Sequence, residues 1–424
     1  MSSFTPTARR VLRHYWGGGD GRWWHLAVPV VLVLAAAAFE TLSYSLLIPL
    51  TDAVSQNSFD FLRESRWFGW LLALVPASVE GTGSRDAYLV VVVVGLVIAG
   101  RIGRVHAASI KTDPRSELVA VTDVVSEAAA ALAREHGVEA RAPEDILADK
   151  NIDAILIASS TNTHAELIEK GAAAGKAIFC EKPIDLSLSR ALELSKRIAG
   201  HARPMMMGFN RRFDPNFAAV KAAFTAGEVG KGEMLAVTSY DPAPPPVSYI
   251  KVSGGLYRDM MIHDFDMCAF MFGLPKTVTA HGSCLVDPEI GAAGDVDTAV
   301  VVLSYADGRI ATIRNSRRAP YGYDQRLELL GSAGLLEARN EIENTVVKST
   351  TAGVVSAKPV YFFLERYMRA YSIEWSAFVD AVVEAKPVPA SIQDGVNALA
   401  LAEAANLSFA EKRTVELAEV LPGA

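Results

Sequence analysis

The sequence predicts an α/β chain: a doubly wound parallel sheet, then an α+β layer with a largely antiparallel open sheet, both preceded by a hydrophobic helical extension. Three observations carry this. Short apolar runs alternate with helical segments from Val91 to Phe209, as βαβ units do. From Glu233 onward strand-like runs follow one another with few helices between them. Ahead of both, Trp23 to Leu50 is largely apolar. The boundaries this implies are 1–87 for the extension, 88–208 for the first domain and 209–424 for the second.

In the extension, Arg9, Arg10, Arg13 and Arg22 precede the apolar run, which is interrupted by Glu40, Thr41, Ser43 and Ser45. About 20 residues suffice to cross a bilayer, so the run predicts one transmembrane helix, and its basic flank places the N-terminus on the cytoplasmic side. Two readings compete. A cleaved leader would use Leu26 to Phe39 as its core and Ala36-x-Ala38 as its cut site; a buried helix would accommodate Glu40 without lipid. Residues 39–50 are similar to the first transmembrane helix of bacterial ABC exporter permeases. No Gly-x-x-x-x-Gly-Lys-[Ser/Thr] follows anywhere in the chain, so the likeness carries no transport activity.

Tyr88 to Gly100 suits the first strand of the parallel sheet or a second short membrane segment, and it cannot be both. The pattern Ile98-Ala99-Gly100-Arg101-Ile102-Gly103 matches the second and third glycines of a Gly-x-Gly-x-x-Gly phosphate loop, with Ile98 where the first belongs. That first glycine makes the tight turn, and a β-branched residue is strained at positive φ. The run Glu117 to Asp123 is an apolar strand ending in an acid, roughly 20 residues past the glycines, where ribose hydroxyls are recognised. Asp123 would repel a 2′-phosphate, which favours NAD over NADP; a cap for the helix after Ser126 is its plainer role. Asp153 to Ser159 forms the next buried strand, followed by Thr161-Asn162-Thr163-His164 and a helix. Ala177 to Cys180 is another, ending in Glu181-Lys182-Pro183, and Pro204 to Phe209 is the last.

Open α/β sheets bind ligands beyond the carboxyl ends of their strands, where Lys182 stands and can polarise a substrate oxygen. Downstream, Gly254-Gly255 leads into a segment in which Asp259 and His263 are four residues apart. On a helix that spacing puts both on one face, so the carboxylate can orient the imidazole as a general base. An ordinary surface pair is the competing reading. The later strands run from Glu233 to Tyr240, Val278 to Cys284, Thr298 to Tyr305, Arg309 to Asn315, Arg326 to Leu330 and Glu343 to Lys348, with a hairpin signal at Asp307-Gly308. An Ala/Leu-rich helix from Ser391 to Ala410 packs back on the body.

Through Glu181-Lys182-Pro183, then Gly254-Gly255, then Asp259-x-x-x-His263, residues 95–416 resemble the Gfo/Idh/MocA oxidoreductases, and within them the branch that oxidises inositol. The resemblance implies NAD as cofactor, with Gly100, Arg101, Ile102, Gly103, Asp123, Asn162, His164 and Glu181 contacting it. Asn162 and His164 come from the Thr-Asn-x-His turn; His164 also suits a capping or packing role. Lys182, Asp259 and His263 would be catalytic, and Lys182, Asp259, Arg211, Asp266 and Tyr323 would meet a cyclic polyol, most simply myo-inositol oxidised to its 2-keto form. Arg211 in a surface cluster, Asp266 in a helix-face pair and Tyr323 packed on the sheet are the structural alternatives. The resemblance also implies a homo-oligomer, a homotetramer, formed through the open sheet.

The 424 residues carry a net charge of −7, which argues against a nucleic-acid partner. The cysteines, Cys180, Cys268 and Cys284, have neither metal-ligand spacing nor an even count, so a reducing compartment and no metal follow. Mean hydropathy of +0.21 is high for a dehydrogenase and comes from the first hundred residues. Three functions remain: a cytoplasmic NAD-dependent polyol dehydrogenase anchored by its extension, a fusion disabled at Ile98 that retains a sugar-binding or structural body, and a membrane transport component.

Overall fold

The computed structural model describes residues 91–92 and 101–423. The proposed transmembrane run, the permease-like segment and Ile98 to Gly100 lie outside them. Among the described residues, no helix is long and apolar enough to cross a membrane.

The first layer contains β1 (Val91–Val92), α1 (Arg101–Thr112), β2 (Ala120–Val121), α2 (Ser126–His136), β3 (Glu139–Ala140), α3 (Pro143–Ala148), β4 (Ala154–Ile157), α4 (His164–Ala173), β5 (Ala177–Glu181), α5 (Leu188–Arg197) and β6 (Met205–Gly208). Strands β4, β5 and β6 are buried along their whole length, as parallel strands covered on both faces are. They pair in parallel. The expected single parallel sheet is modified in two places. β1 pairs with β4 antiparallel, and β2 and β3 pair separately, in parallel. A crossover helix imposes direction on a βαβ strand; the contact of Val91 and Val92 with β4 is too short to carry that constraint.

The second layer follows: α6 (Pro215–Thr225), β7 (Gly232–Tyr240), α7 (Val247–Ser253), α8 (Gly255–Asp259), α9 (Ile262–Phe272), β8 (Thr277–Ser283), α10 (Pro288–Ala292), β9 (Thr298–Ser304), β10 (Ile310–Ser316), β11 (Asp324–Gly331), β12 (Gly334–Ala338), β13 (Val347–Thr350), β14 (Gly353–Ser356), α11 (Phe363–Glu384), α12 (Ile392–Glu411) and β15 (Val415–Glu416). The large sheet has the order β12-β11-β7-β10-β9-β8-β15. It is antiparallel throughout except for the β7–β10 pair. The short β12 was missed in the sequence, and the strand expected at 343–348 falls instead at β13, in a separate exposed hairpin with β14.

Local chemistry starts the helices. Asp214 caps α6 by accepting from Asn216 and Phe217 N–H, with Pro215 at the first position. Ser391 and Asp394 form a reciprocal capping box at α12. Gly137 ends α2 at φ 69, a left-handed stop that favours glycine.

The long helix α11 ties the layers together. Trp375 and Phe378 are both fully buried and pack on Phe179 of β5, with ring centroids 6.1 and 5.7 Å apart. Trp375 Nε1 donates to Ser116 Oγ at 2.9 Å. One helical turn after another, Tyr371 packs on His106 and Tyr367 on Tyr323. On the other side Met207 N–H donates to the Ala390 carbonyl at 2.9 Å, and a Cβ at Gly395 of α12 would lie 3.1 Å from Met207.

Because the ring of Trp375 fills space shared by both layers, Trp375→Ala should destabilise the fold by about 3–5 kcal/mol. Denaturant melts followed by far-UV circular dichroism would show this as a lowered midpoint, and an unchanged midpoint would contradict the packing described.

Candidate active site

β5 runs out at Glu181 in the middle of its sheet, so Lys182 projects from the carboxyl edge, where parallel strands leave a crevice. The Lys182–Pro183 peptide is cis. Lys182 Nζ donates to the backbone carbonyl of Asp259 at 2.9 Å and lies 3.8 Å from its Oδ1. The first layer thereby meets the segment carrying Asp259 and His263.

That segment is not one helix. It is α8, a break at Met260 and Met261, then α9. Met260 and Met261 N–H both donate to the Leu256 carbonyl, at 3.1 and 2.9 Å; the second is an i→i+5 bond, the mark of a π-type bulge. An inserted residue turns everything beyond it by about 100° around the helix axis. The expected hydrogen bond between Asp259 and His263 is consequently absent. Asp259 Oδ1 accepts from the Tyr249 hydroxyl at 2.9 Å, its Oδ2 lies 3.8 Å from Arg317 Nη2, and the buried His263 Nδ1 makes no hydrogen bond among the described residues. Burial, and then the charges of Lys182 and Arg211, hold the His263 pKa well below that of an ordinary histidine. The ring is therefore neutral at pH 7 without help from Asp259.

Arg211 lies close enough to His263 to act on it, but its own Nη1 donates to Ser239 Oγ at 2.9 Å and to Asp264 Oδ1 at 2.5 Å. Asp264, fully buried, also accepts from Ser239 Oγ and Asn315 Nδ2. Tyr323 is 7% exposed, and burial raises its pKa well above the usual value, with Arg211, Asp241 and Asp264 among its charged neighbours. Asp241, which the sequence did not single out, heads the Pro242–Pro246 loop; burial pushes its carboxyl up to about 6, against the pull of Arg317 and Arg211.

Three residues expected at the site make buried contacts of their own. Asp266 does not face the crevice: it is 1% exposed and both its oxygens accept from Arg212, since α9 turns it toward the core, where a carboxylate requires a cation. His164 is buried too, with Nδ1 2.7 Å from the Pro183 carbonyl and Nε2 2.9 Å from that of Ser159. It ties the end of β4 to the turn that carries Lys182, and burial keeps its pKa low although both carbonyls favour the charged ring. Glu181 turns inward, where Oε1 is 2.5 Å from Nε2 of the buried His106 on α1, and Oε2 accepts from the Lys182 N–H at 3.2 Å. A lone His or Glu at a strand end or helix start carries no sign of such distant partners. Arg317, Tyr249 and Asp295 were likewise invisible, each meeting the site only through folding.

The other residues expected to contact the cofactor lie at the start of α1 and beyond β2 and β4. Gly103 is buried in the first turn of α1, a close approach that suits a pyrophosphate-binding helix start; Ile102 is half-buried beside it, and α1 begins at Arg101. Asp123 is half-buried just beyond β2, its Oδ1 accepting from Val125 N–H at 2.8 Å. Val124 and Val125, next to it, are 44% and 54% exposed. Asn162 is exposed in the 3-10 turn after β4.

The chain matches two family models: the oxidoreductase family with an NAD-binding Rossmann fold over residues 89–209, and the GFO/IDH/MocA C-terminal domain over residues 217–337. It is 47% identical over 325 residues to an inositol 2-dehydrogenase of Rhizobium meliloti, covering 76% of this chain and 98% of that one. A myo-inositol 2-dehydrogenase of Thermotoga maritima is 45% identical over 331 residues, with 77% and 99% covered. Among solved structures, scyllo-inositol dehydrogenase from Lactobacillus casei with bound NAD(H) and scyllo-inositol superposes with a TM-score of 0.71 at 30% identity, covering 77% of this chain and 98% of that one. The family matches across both layers and the relatives at 45% and 47% identity agree: the chain belongs to the Gfo/Idh/MocA family of oxidoreductases.

Proposed function

We infer that this chain is an NAD-dependent polyol dehydrogenase that oxidises myo-inositol to its 2-keto form. The observation that carries this reading is the convergence of Lys182, Asp259 and a neutral His263 at the carboxyl edge of β5. The names of its relatives point to the same substrate class.

When bound, NAD supplies the hydride acceptor, C4 of the nicotinamide. Gly100, Gly103 and the start of α1 would hold its pyrophosphate, Asp123 its adenosine ribose, and Asn162 the edge of its site. The protein's part is acid–base and electrostatic. His263 takes the hydroxyl proton as the carbinol carbon gives up hydride and becomes the ketone carbon. Lys182 Nζ, anchored by the Asp259 carbonyl, keeps N–H donors for the substrate oxygen and stabilises its developing negative charge. Asp259 accepts from a neighbouring ring hydroxyl, and Arg211 and Tyr323 line the polar wall behind it. A site built to hydrogen-bond hydroxyls rejects analogues that lack them, because its buried groups are then left unpaired.

The outer face of the large sheet supports a homo-oligomer. Leu335, Leu330, Met234 and Ile310 stand opposite one another across β12, β11, β7 and β10, each between 40% and 51% exposed. A row of this kind on an open sheet suits burial against a second copy. Leu330→Glu should dissociate the assembly in sedimentation experiments; an unchanged mass would exclude this face.

NADH formation from myo-inositol and NAD tests the activity. The full chain should turn over, and Lys182→Ala and His263→Gln should each lower kcat by roughly 10²–10⁴-fold. Absence of NADH with the wild-type chain would refute the reading. Comparison with Ile98→Gly tells whether the departure from the glycine loop limits NAD binding.

A second expectation concerns pH. The folded His263 pKa lies below the unfolded value of about 6.5, so the unfolded chain binds that proton first. The stability this group contributes is fully present above about pH 6.5 and is lost as pH falls toward the folded value. In Lys182→Met one of the depressing charges is gone. The His263 ring resonance should then titrate at higher pH than in the wild type, and an unmoved midpoint would show that Lys182 does not act on the ring.

A further inference from the structure

Arg317 follows directly on β10, with its backbone N–H donating to the Asp297 carbonyl at 2.8 Å. Its side chain is 1% exposed, yet Nε and Nη2 make no hydrogen bond among the described residues. Nη2 lies between two carboxylates, 3.8 Å from Asp259 Oδ2 and 3.7 Å from Asp295 Oδ2. A buried guanidinium needs compensating charge, and these two acids provide it from separate segments of the chain.

The two acids sit at opposite ends of the same short helix. Both oxygens of Asp295 accept from Leu256 N–H, at 3.0 and 3.1 Å, at the start of α8, and Asp259 closes it. Gly255 has φ 81, and a Cβ there would lie 2.7 Å from Asp295 Oδ1, so the second glycine of the Gly-Gly pair is what lets this carboxylate approach. The single turn of α8 is thus gripped at its start by Asp295 and faced at its end by Arg317, which touches on both carboxylates.

Around Asp259 the charges are divided. Oδ1 is engaged by the Tyr249 hydroxyl and faces Lys182, leaving Oδ2 to Arg317. At 3.8 Å the guanidinium attracts that oxygen without a direct hydrogen bond, a gap that a bridging hydroxyl can close.

We propose that Arg317 is the positioning residue of the substrate site, turning the Asp259 carboxylate toward a hydroxyl of the polyol while Asp295 fixes the other end of α8. The proposal rests on the polyol dehydrogenase reading. It acts through Asp259, so its signature is coupling between the two residues rather than a general loss of structure.

The test is steady-state kinetics of the full chain with myo-inositol and NAD for the wild type, Arg317→Gln, Arg317→Lys, Asp259→Asn and the Arg317→Gln/Asp259→Asn double variant. Arg317→Gln should raise the KM for myo-inositol at least about tenfold, equivalent to about 1.4 kcal/mol, while the KM for NAD stays within about twofold. In the Asp259→Asn background the same substitution should change kcat/KM by less than about twofold, because the pair acts as one unit. Arg317→Lys, which keeps the charge but loses the planar fork, should fall between wild type and Arg317→Gln. Equal rises in both KM values, or effects that multiply in the double variant, would assign Arg317 a purely structural role and overturn the proposal. Should Arg317→Gln not fold, Arg317→Lys decides, an unchanged polyol KM counting against it. A wild-type chain that does not oxidise the polyol brings the proposal down with the reading on which it rests. An active wild type beside an unaffected Arg317→Gln overturns this proposal alone.

Discussion

Lys182 Nζ reaches from the end of β5 to the carbonyl of Asp259, 2.9 Å away, and this bond joins the two layers at the site. A lysine at the carboxyl edge of a parallel sheet has only the crevice ahead of it. Its partner is a carbonyl that no longer serves a regular helix, because the chain breaks between α8 and α9. The strand edge supplies the cation and the broken helix supplies its acceptor. Every other feature of the site is arranged around their meeting.

The break also divides labour between two residues that the sequence places at helical spacing. With a residue inserted, Asp259 turns toward Lys182, Tyr249 and Arg317, while His263 is buried where Lys182 and Arg211 act on it. Two cations beside a buried imidazole make its neutral form the stable one. Burial first, and then the charges of Lys182 and Arg211, keep the ring neutral, and the Asp259 carboxylate is left to its own partners.

Behind the crevice, buried polar residues hold the elements that present these groups. His164 spans from Ser159 to Pro183, Glu181 meets His106 of α1, and Asp266 meets Arg212. Leaving one member of such a pair alone in the interior costs several kcal/mol, so each fixes its segment firmly. Rigid support of this kind is what keeps catalytic groups in register. Glu181, His164 and Asp266, expected at the cofactor or substrate, also hold the elements that carry the residues beside them.

The sequence by itself determined the two-layer α/β then α+β order, most strand positions, Asp123 at the end of its strand and Lys182 at the crevice. These follow from local periodicity, turn chemistry and the topology that parallel strands impose. Asp259 and His263 were legible as residues, but their relation was not, because a single inserted residue at Met260–Met261 reverses what spacing implies. Arg317, Asp295, Asp241 and Tyr249 join the site from four separated segments, and His106 meets Glu181 across 75 positions. Only the tertiary structure decided those meetings, since burial and charge compensation depend on which distant segments share a wall, and no local pattern in the chain records that.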